Sequence, residues 1–265
     1  DGLRKIMAQI IDISCRQEEE YLQSELPPKA IAASHGEKIV VGYQGVPGAY
    51  SHLALQKYFA GAQVEEHNYT LFEDVAQAVK EGEVAYGLLP IENSSTGGIT
   101  EVYDLVRRYD CHIVGEKCVK IEHNLLAYPG TSLDKITEVY SHPQGFAQCR
   151  PFFKQYPKMA QIPYFNTAKG AELVSIRKTD YMAAVAGRQA AELYGLEILA
   201  SNINANTNND TRFFVIASEM QEIPNADKIT LVVSLKHEPG SLYNMLGNFY
   251  HNGLNMLNIE SRPIE

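Results

Sequence analysis

In the stretch TNNDTRFFVIA, residues 207–217, a polar run meets an apolar one with a Thr and an Arg at the junction. A Thr hydroxyl is a hydrogen-bond donor rather than an acid, and an Arg is a permanent cation with a fork of donors. At the mouth of a strand, Arg212 either holds an anion beside Thr211 or snorkels and braces a turn. Four other stretches have a related character: GVPGAYS (45–51), ENSSTGG (92–98), SHPQG (141–145) and NTA (166–168). Each follows an apolar run and precedes a helical pattern. Helix N-termini at such places present free N–H groups and a positive dipole end, which suit carboxylates. Ser51 either donates to a ligand oxygen or only opens a helix. Glu92, beside Asn93 and Ser94, is a solvated turn residue, or a proton donor if burial raises its pKa. His142 titrates near neutrality or serves only the turn before Pro143. Gln148, one turn into the next helix, reaches the same loop.

Other chemistries are excluded. Gly42, Gly45 and Gly48 are spaced G-x-x-G-x-x-G, which is neither a dinucleotide fingerprint nor a P-loop, so no nucleotide is expected. The eight His lack ligand spacing and the four Cys contain no C-x-x-C pair, so no metal and reduced thiols are expected. Net charge is −9 with no Lys/Arg cluster, which argues against nucleic acid but not against a local anion site. No apolar run is long enough to span a bilayer, and the first residues lack a signal-peptide pattern, so a cytoplasmic location is expected.

The elements that must position these residues follow a rhythm from residue 38 onward. KIVVGYQ, VAYGLLP, ITEVYS, QIPYF, LEILAS and RFFVIAS read as strands. HLALQKYFA, ITEVYDLVRRY, FAQCRPFFKQY, AKGAELVSI and MAAVAGRQAAELYG read as helices. That alternation predicts α/β units with mostly parallel sheets in two lobes, and loops at the carboxyl ends of strands are where such folds bind ligands. Residues 3–22 read as a helix and 24–37 as a Pro/Ala/Ser-rich linker. After the linker EMQEIPNAD, KITLVVSLKH reads as a strand, and SLYNMLGNFYHN as a helix with Ser241 as N-cap and Gly253 as its C-terminal glycine. A β-α-β unit of this size cannot close a core alone, so the module is expected to be truncated or completed by a partner chain.

GYQGVPGAYSHLA, LLPIENSSTGGI, YSHPQGFAQC and NNDTRFFVIA, in this order and spacing, resemble the prephenate dehydratase family across residues 38–218. The trailing residues 227–265 resemble part of an ACT regulatory domain, and residues 1–23 the last helix of an α-helical chorismate mutase. Together they are similar to the bifunctional mutase/dehydratases, with most of the mutase absent and no mutase activity expected. The resemblance implies a two-lobed, periplasmic-binding-protein-like α/β domain with a central cleft, its lobes about 38–115 with 204–218, and 116–203. It also implies a ferredoxin-like α+β ACT module.

The implied reaction takes prephenate to phenylpyruvate, carbon dioxide and water, without a cofactor. The resemblance implies Thr211, Arg212, Phe213, Glu92 and Asn93 as catalytic. Thr211 would be the positioned donor backed by Glu92 or His142, and Phe213 would pack under the ring or shape the pocket. Ser51, Ser94, Ser141, His142, Gln148, Asn166, Thr167 and Ala168 would bind the substrate. Asn166 stands where the family more often has Ser. L-Phenylalanine would bind as effector at Pro239, Gly240, Ser241 and Leu242 with Glu260, Ser261, Arg262 and Pro263, in a homodimer or homotetramer. The rivals are an arogenate dehydratase, a solute-binding protein, and an amino-acid sensor without turnover.

Overall fold

The computed structural model describes residues 38–221, 226 and 228–261. The expected N-terminal helix and first linker lie outside these residues, as do Arg262 and Pro263. The chain divides into two compact units, Asp1–Pro224 and Asn225–Glu265.

The described part of the first unit holds two sheets. The first contains β1 (Ile39–Gln44), β2 (Val64–Tyr69), β3 (Tyr86–Asn93), β4 (Gly97–Gly98), β5 (His112–Lys120) and β11 (Asp210–Ala217), in the order β2-β1-β3-β11-β5, with β4 paired to β3. Three helices cover it: α1 (Tyr50–Tyr58), α2 (Phe72–Lys80) and α3 (Thr100–Arg108). One face of the sheet packs Val41, Tyr43, Leu88, Phe213 and Val215 against Ala54 and Leu55 of α1. The other packs Leu89, Ile91, Phe214 and Ile216 against Val75, Val79, Val102 and Leu105 of α2 and α3. This alternation along β3 and β11 is the two-residue period of a strand covered on both faces. Leu88, Leu89 and Ile91 are fully buried, and each contributes roughly 1.5–3 kcal/mol.

The second sheet contains β6 (Asn124–Ala127), β7 (Glu138–Ser141), β8 (Ala160–Pro163), β9 (Met182–Ala186) and β10 (Glu197–Ala200), in the order β10-β6-β9-β7-β8. With it go α4 (Pro143–Gln148), α5 (Arg150–Gln155), α6 (Thr167–Arg177) and α7 (Arg188–Tyr194). The chain crosses between the sheets at residues 121–123 and 201–209, so the first lobe runs to the end of β5 rather than to residue 115.

Four expectations need correction. The sheets are mixed, not mostly parallel: β1 runs parallel to β2 and β3, but β11 lies antiparallel to both its neighbours, and β6 to β9 and β10. MAAVA is a strand, not the start of a helix. All five residues are buried between β6 and β7, and a short apolar run is ambiguous until its neighbours are known. FAQCRPFFKQY is two helices broken at Cys149, because Pro151 has no N–H to continue the first. Cys111 and Cys149 are buried free thiols, but Cys118 is disulfide-bonded, so four reduced cysteines is not what the fold holds.

Helix α6 lies unusually close to β7. A Cβ on Gly170 would stand 2.8 Å from the Tyr140 carbonyl oxygen, and backbone cannot move aside as a side chain can. Gly170→Ala is therefore expected to cost about 1–3 kcal/mol despite the better helix propensity of Ala. Urea denaturation measures this; an unchanged or raised midpoint would contradict the close packing.

In the second unit, α8 (Ser241–His251) is the only helix among the described residues. Its N-cap is Gly240 in the left-handed region, one residue before the expected Ser241, while Gly253 has the expected positive φ. Residues 228–236 form no strand, contrary to expectation. A strand needs a ladder partner, and no described segment of this unit pairs with them. Ile229, Leu231, Val233 and Leu235 are accordingly exposed, and no residue of α8 is buried.

Candidate active site

The ends of β3 and β11 build a hydrogen-bonded polar node. In register, Thr211 faces Asn93 and Arg212 faces Glu92. The Asn93 amide oxygen accepts the Ser95 and Thr96 backbone N–H groups at 3.0 and 3.2 Å, and the Thr96 hydroxyl at 3.3 Å. This is an Asx turn, and it fixes which way the amide faces. The amide nitrogen therefore points at acceptors: Thr211 Oγ1 at 2.8 Å, Asn209 Oδ1 at 2.9 Å and the Asp210 carbonyl at 3.2 Å. Ser94 Oγ donates to the Asn208 carbonyl and accepts the Asp210 N–H, clamping the turn to β11. Thr211 thus receives a hydrogen bond on its oxygen, and its own proton remains to be donated. Accepting that bond also favours the more negative oxygen, so Thr211 is a better donor than a free hydroxyl.

Asn209 is a member that sequence reasoning missed. It is 1% exposed, its Oδ1 also takes the Ser95 hydroxyl at 3.1 Å, and its Nδ2 has no partner. The available signal was its place in NNDTRF, two residues before Thr211.

Arg212 and Glu92 point to the opposite face. Arg212 Nη2 donates to Glu92 Oε2 at 2.9 Å, and Nη1 lies 3.7 Å from Glu116 Oε2. The two paired side chains are only 15% and 7% exposed. The register shifts between Arg212 and Phe213, leaving Ile91 of β3 without a partner on β11, and Phe213 itself packs into the core on the α1 side. The geometry does not bring Glu92 or Phe213 to the Thr211 hydroxyl: Glu92 is committed to Arg212, and Phe213 to the core with Leu88 and Tyr43.

The remaining loops meet from the two lobes. In GVPGAYS, Ser51 Oγ donates to the Gln44 carbonyl, and the Gly48 N–H donates to His52 Nδ1 at 3.0 Å. Gly48 has φ +83° and lies so near α7 that a Cβ would stand 3.3 Å from the Ala190 Cα. Tyr194 Oη donates to the Pro47 carbonyl across the same gap. Gln144 Nε2 donates to Thr96 Oγ1 at 3.4 Å, joining the start of α4 to the turn after β3.

Ser141 is fully buried and donates to the Val185 carbonyl, and His142 is exposed and caps α4 through Nδ1. His142 therefore does not back Thr211. Asn166 caps α6 by accepting the Lys169 N–H at 2.7 Å, and Thr167 and Ala168 form its first turn. A Cβ on Gly145 would touch both Ser141 and Thr167, so the starts of α4 and α6 lie side by side. A hollow of about 450 Å³ lined by Phe146, Arg150 and Lys154 lies elsewhere on the second lobe and includes no expected site residue.

Two further residues missed by sequence reasoning link the lobes. Tyr50 of α1 donates to the Glu122 carbonyl at 2.8 Å and stands 3.4 Å from His123 Nδ1. His123 Nε2 in turn meets Gln148 Oε1 of α4 at 2.7 Å. Burial holds the His123 imidazole below its ordinary value of 6.5, with the Gln148 hydrogen bond working in the opposite direction. The sign follows by linkage. The unfolded chain takes up this proton as pH falls through 6.5 and the folded chain resists it, so this contribution to stability is intact above 6.5 and is lost below. Urea midpoints are expected to drop between about pH 7.5 and about pH 5, and to drop less in His123→Gln. An equal drop in the variant would contradict the assignment.

Among the described residues no helix is long and apolar enough to cross a membrane, and no three His, Cys, Asp or Glu side chains cluster as metal ligands would. The prephenate dehydratase family profile matches residues 41–221. A bifunctional chorismate mutase/prephenate dehydratase of Stutzerimonas stutzeri is 37% identical over 227 residues, 84% of this chain and 60% of that protein. Arogenate dehydratase 5, chloroplastic, of Arabidopsis thaliana is 40% identical over 238 residues, 88% of this chain and 55% of that protein. The chain thus spans little more than half the length of these relatives. The crystal structure of prephenate dehydratase in complex with L-Phe from Arthrobacter aurescens superposes with a TM-score of 0.72 at 28% identity, covering 85% of this chain and 76% of that one. A profile that spans β1 to β11 and the whole Thr211 node covers well over half of the sequence, and the chain belongs to the prephenate dehydratase family.

Proposed function

We propose that this chain is a carbon–oxygen lyase that converts prephenate to phenylpyruvate, carbon dioxide and water. The observation that carries this reading is the Asn93–Thr211 hydrogen bond, which leaves a fixed hydroxyl proton at the end of β11. In the reaction the bond between the ring and its carboxylate breaks and carbon dioxide leaves. The released electron pair aromatises the ring as the hydroxyl departs with its own bonding pair. That oxygen takes up one proton and becomes water, so prephenate dianion plus a proton gives phenylpyruvate, carbon dioxide and water. Thr211 donates a hydrogen bond to the departing hydroxyl, where negative charge develops. Aromatisation supplies the driving force, so the chemistry calls for no cofactor.

The substrate's two carboxylates are received by neutral donors: the Gln148 amide and the first turns of α4 and α6 with Asn166, Thr167 and Ala168, while Ser94 holds the turn to β11 rather than donating to substrate. Arg212 and Glu92 act as a brace under the node. Ser51 and Ser141 shape the loops by donating to Gln44 and Val185 rather than to substrate. Residues 228–261 are the regulatory part of the proposal, binding L-phenylalanine at Pro239–Leu242 with Glu260 and Ser261 in a cytoplasmic homo-oligomer. The Arthrobacter dehydratase, a complex with L-Phe, supports that assignment.

A second reading, arogenate in place of prephenate, is favoured by the identity to the Arabidopsis protein. The substrates differ in an amino against a keto group on the side chain. Rates with each measured side by side decide: a kcat/KM at least about tenfold higher on prephenate supports the first reading, the reverse supports the second, and turnover of neither ends both.

A further inference from the structure

We infer that His123 is a positioning residue: by donating from Nε2 to Gln148 Oε1, it turns the Gln148 amide nitrogen toward the cleft as a donor. The inference rests on the proposed reaction and deepens it. His123 lies in the first crossover between the lobes and is 3% exposed. Its backbone is held on both sides by the second crossover. The His123 N–H donates to Asn204 Oδ1 at 3.1 Å, and its carbonyl accepts the Ile203 N–H at 2.8 Å. The Gln148 carbonyl accepts the Ala205 N–H at 2.8 Å, so both partners are tied to one strap. The backbones that carry the ring and the amide are thus held to each other through the second crossover.

The tautomer decides what the cleft meets. Tyr50 commits its proton to the Glu122 carbonyl at 2.8 Å and contacts Nδ1 only at 3.4 Å. The 2.7 Å contact between Nε2 and Gln148 Oε1 requires the proton on Nε2, since two acceptors would repel at that distance. With Oε1 occupied, the two N–H bonds of Gln148 have no acceptor among the described residues and are free for a carboxylate. The opposite tautomer would draw the amide nitrogen to the ring and present Oε1 to the cleft, where it would repel the same carboxylate. One buried proton therefore sets the polarity of a substrate contact.

The chain of contacts from Tyr50 through His123 to Gln148 also runs from the first lobe through the crossover to the second. Gln148 on its own is the last residue of a helix of six residues, and nothing else described orients its side chain. Burial disfavours the charged imidazole, in line with a neutral ring that keeps a single tautomer.

Two measurements on the intact chain test this. The first is the ¹⁵N spectrum of the His123 ring, which needs no substrate. The expected result is a protonated Nε2 and a bare Nδ1, with the Nε2–H signal exchanging faster in Gln148→Leu. A proton on Nδ1 would overturn the inference. The second is a double-mutant cycle on prephenate turnover. His123→Phe is expected to raise KM about tenfold with kcat changed less than about threefold, and to add nothing in the Gln148→Leu background. His123→Gln keeps a donor near the Nε2 position and is expected to stay within about threefold of wild type. Effects of His123→Phe that add fully to those of Gln148→Leu would overturn the inference, as would a failure of His123→Gln to restore binding when His123→Phe is folded and impaired. If His123→Phe does not fold, the ring spectrum and His123→Gln decide. An inert wild type with the expected ring spectrum would sink the reaction reading alone; an active wild type with additive variants would sink only this inference.

Discussion

Thr211→Ala is expected to lose about 100- to 1,000-fold in kcat, roughly 3–4 kcal/mol of transition-state stabilisation, the usual cost of removing one fixed donor from developing negative charge. Its fold should survive. The Asn93 amide nitrogen retains two other acceptors, Asn209 Oδ1 and the Asp210 carbonyl, so losing Thr211 Oγ1 strands no buried donor. A stability loss of about 1 kcal/mol or less follows, which melting curves can check. Two controls sharpen the result. Thr211→Ser keeps the hydroxyl and should stay within about tenfold of wild type, whereas Thr211→Val keeps the shape without the proton and should resemble Ala. A Val variant with near-normal kcat would remove Thr211 from the chemistry.

The second large effect is on stability and comes from Arg212. Arg212→Ala leaves the Glu92 carboxylate, 7% exposed, without its partner, and also takes a cation from beside Glu116. Removing one member of a buried pair costs about 3–5 kcal/mol, far more than a surface pair. For a domain of this size that is a melting temperature lower by about 10 °C. Replacing both members by apolar residues, Arg212→Met with Glu92→Leu, should recover most of the loss, because neither charge then remains buried. Two outcomes would contradict the brace: an Arg212→Ala protein that melts like wild type while its KM for prephenate rises about tenfold, or a double variant no more stable than the single one. The first of these would make Arg212 a substrate ligand. Residue types and spacing leave that choice open, and the contact with Glu92 is what favours the brace.

Local signals in the sequence were enough to place β1, β3, β11 and the loops after them, because Gly, Pro, Ser and Asn mark turns and the apolar runs between them are long. The segment MAAVA went astray because alanines favour a helix locally, whereas its place between β6 and β7 decides for a strand. KITLVVSLKH shows the converse: its alternation is that of a strand, but a strand is a property of two segments, and no described segment of its unit pairs with it. Within the site, Thr211, Asn93 and Ser94 were legible because TRF and ENS announce themselves by residue type. Asn209, Tyr50 and His123 were not. An Asn in a run of Asn, a Tyr opening a helix and a lone His between two apolar runs carry no local mark. Their roles arise from contacts across the crossovers, between residues far apart in the chain. Nor could residue types show that Glu92 and Asn93, neighbours in β3, face opposite ways into different tasks.

The most direct test of the central claim is the appearance of phenylpyruvate from prephenate with the purified chain, wild type and Thr211→Ala assayed together and both shown to be folded. Steady turnover by the wild type is predicted, with a rate for the variant lower by about two to three orders of magnitude. A folded Thr211→Ala protein that makes phenylpyruvate as fast as the wild type would contradict it.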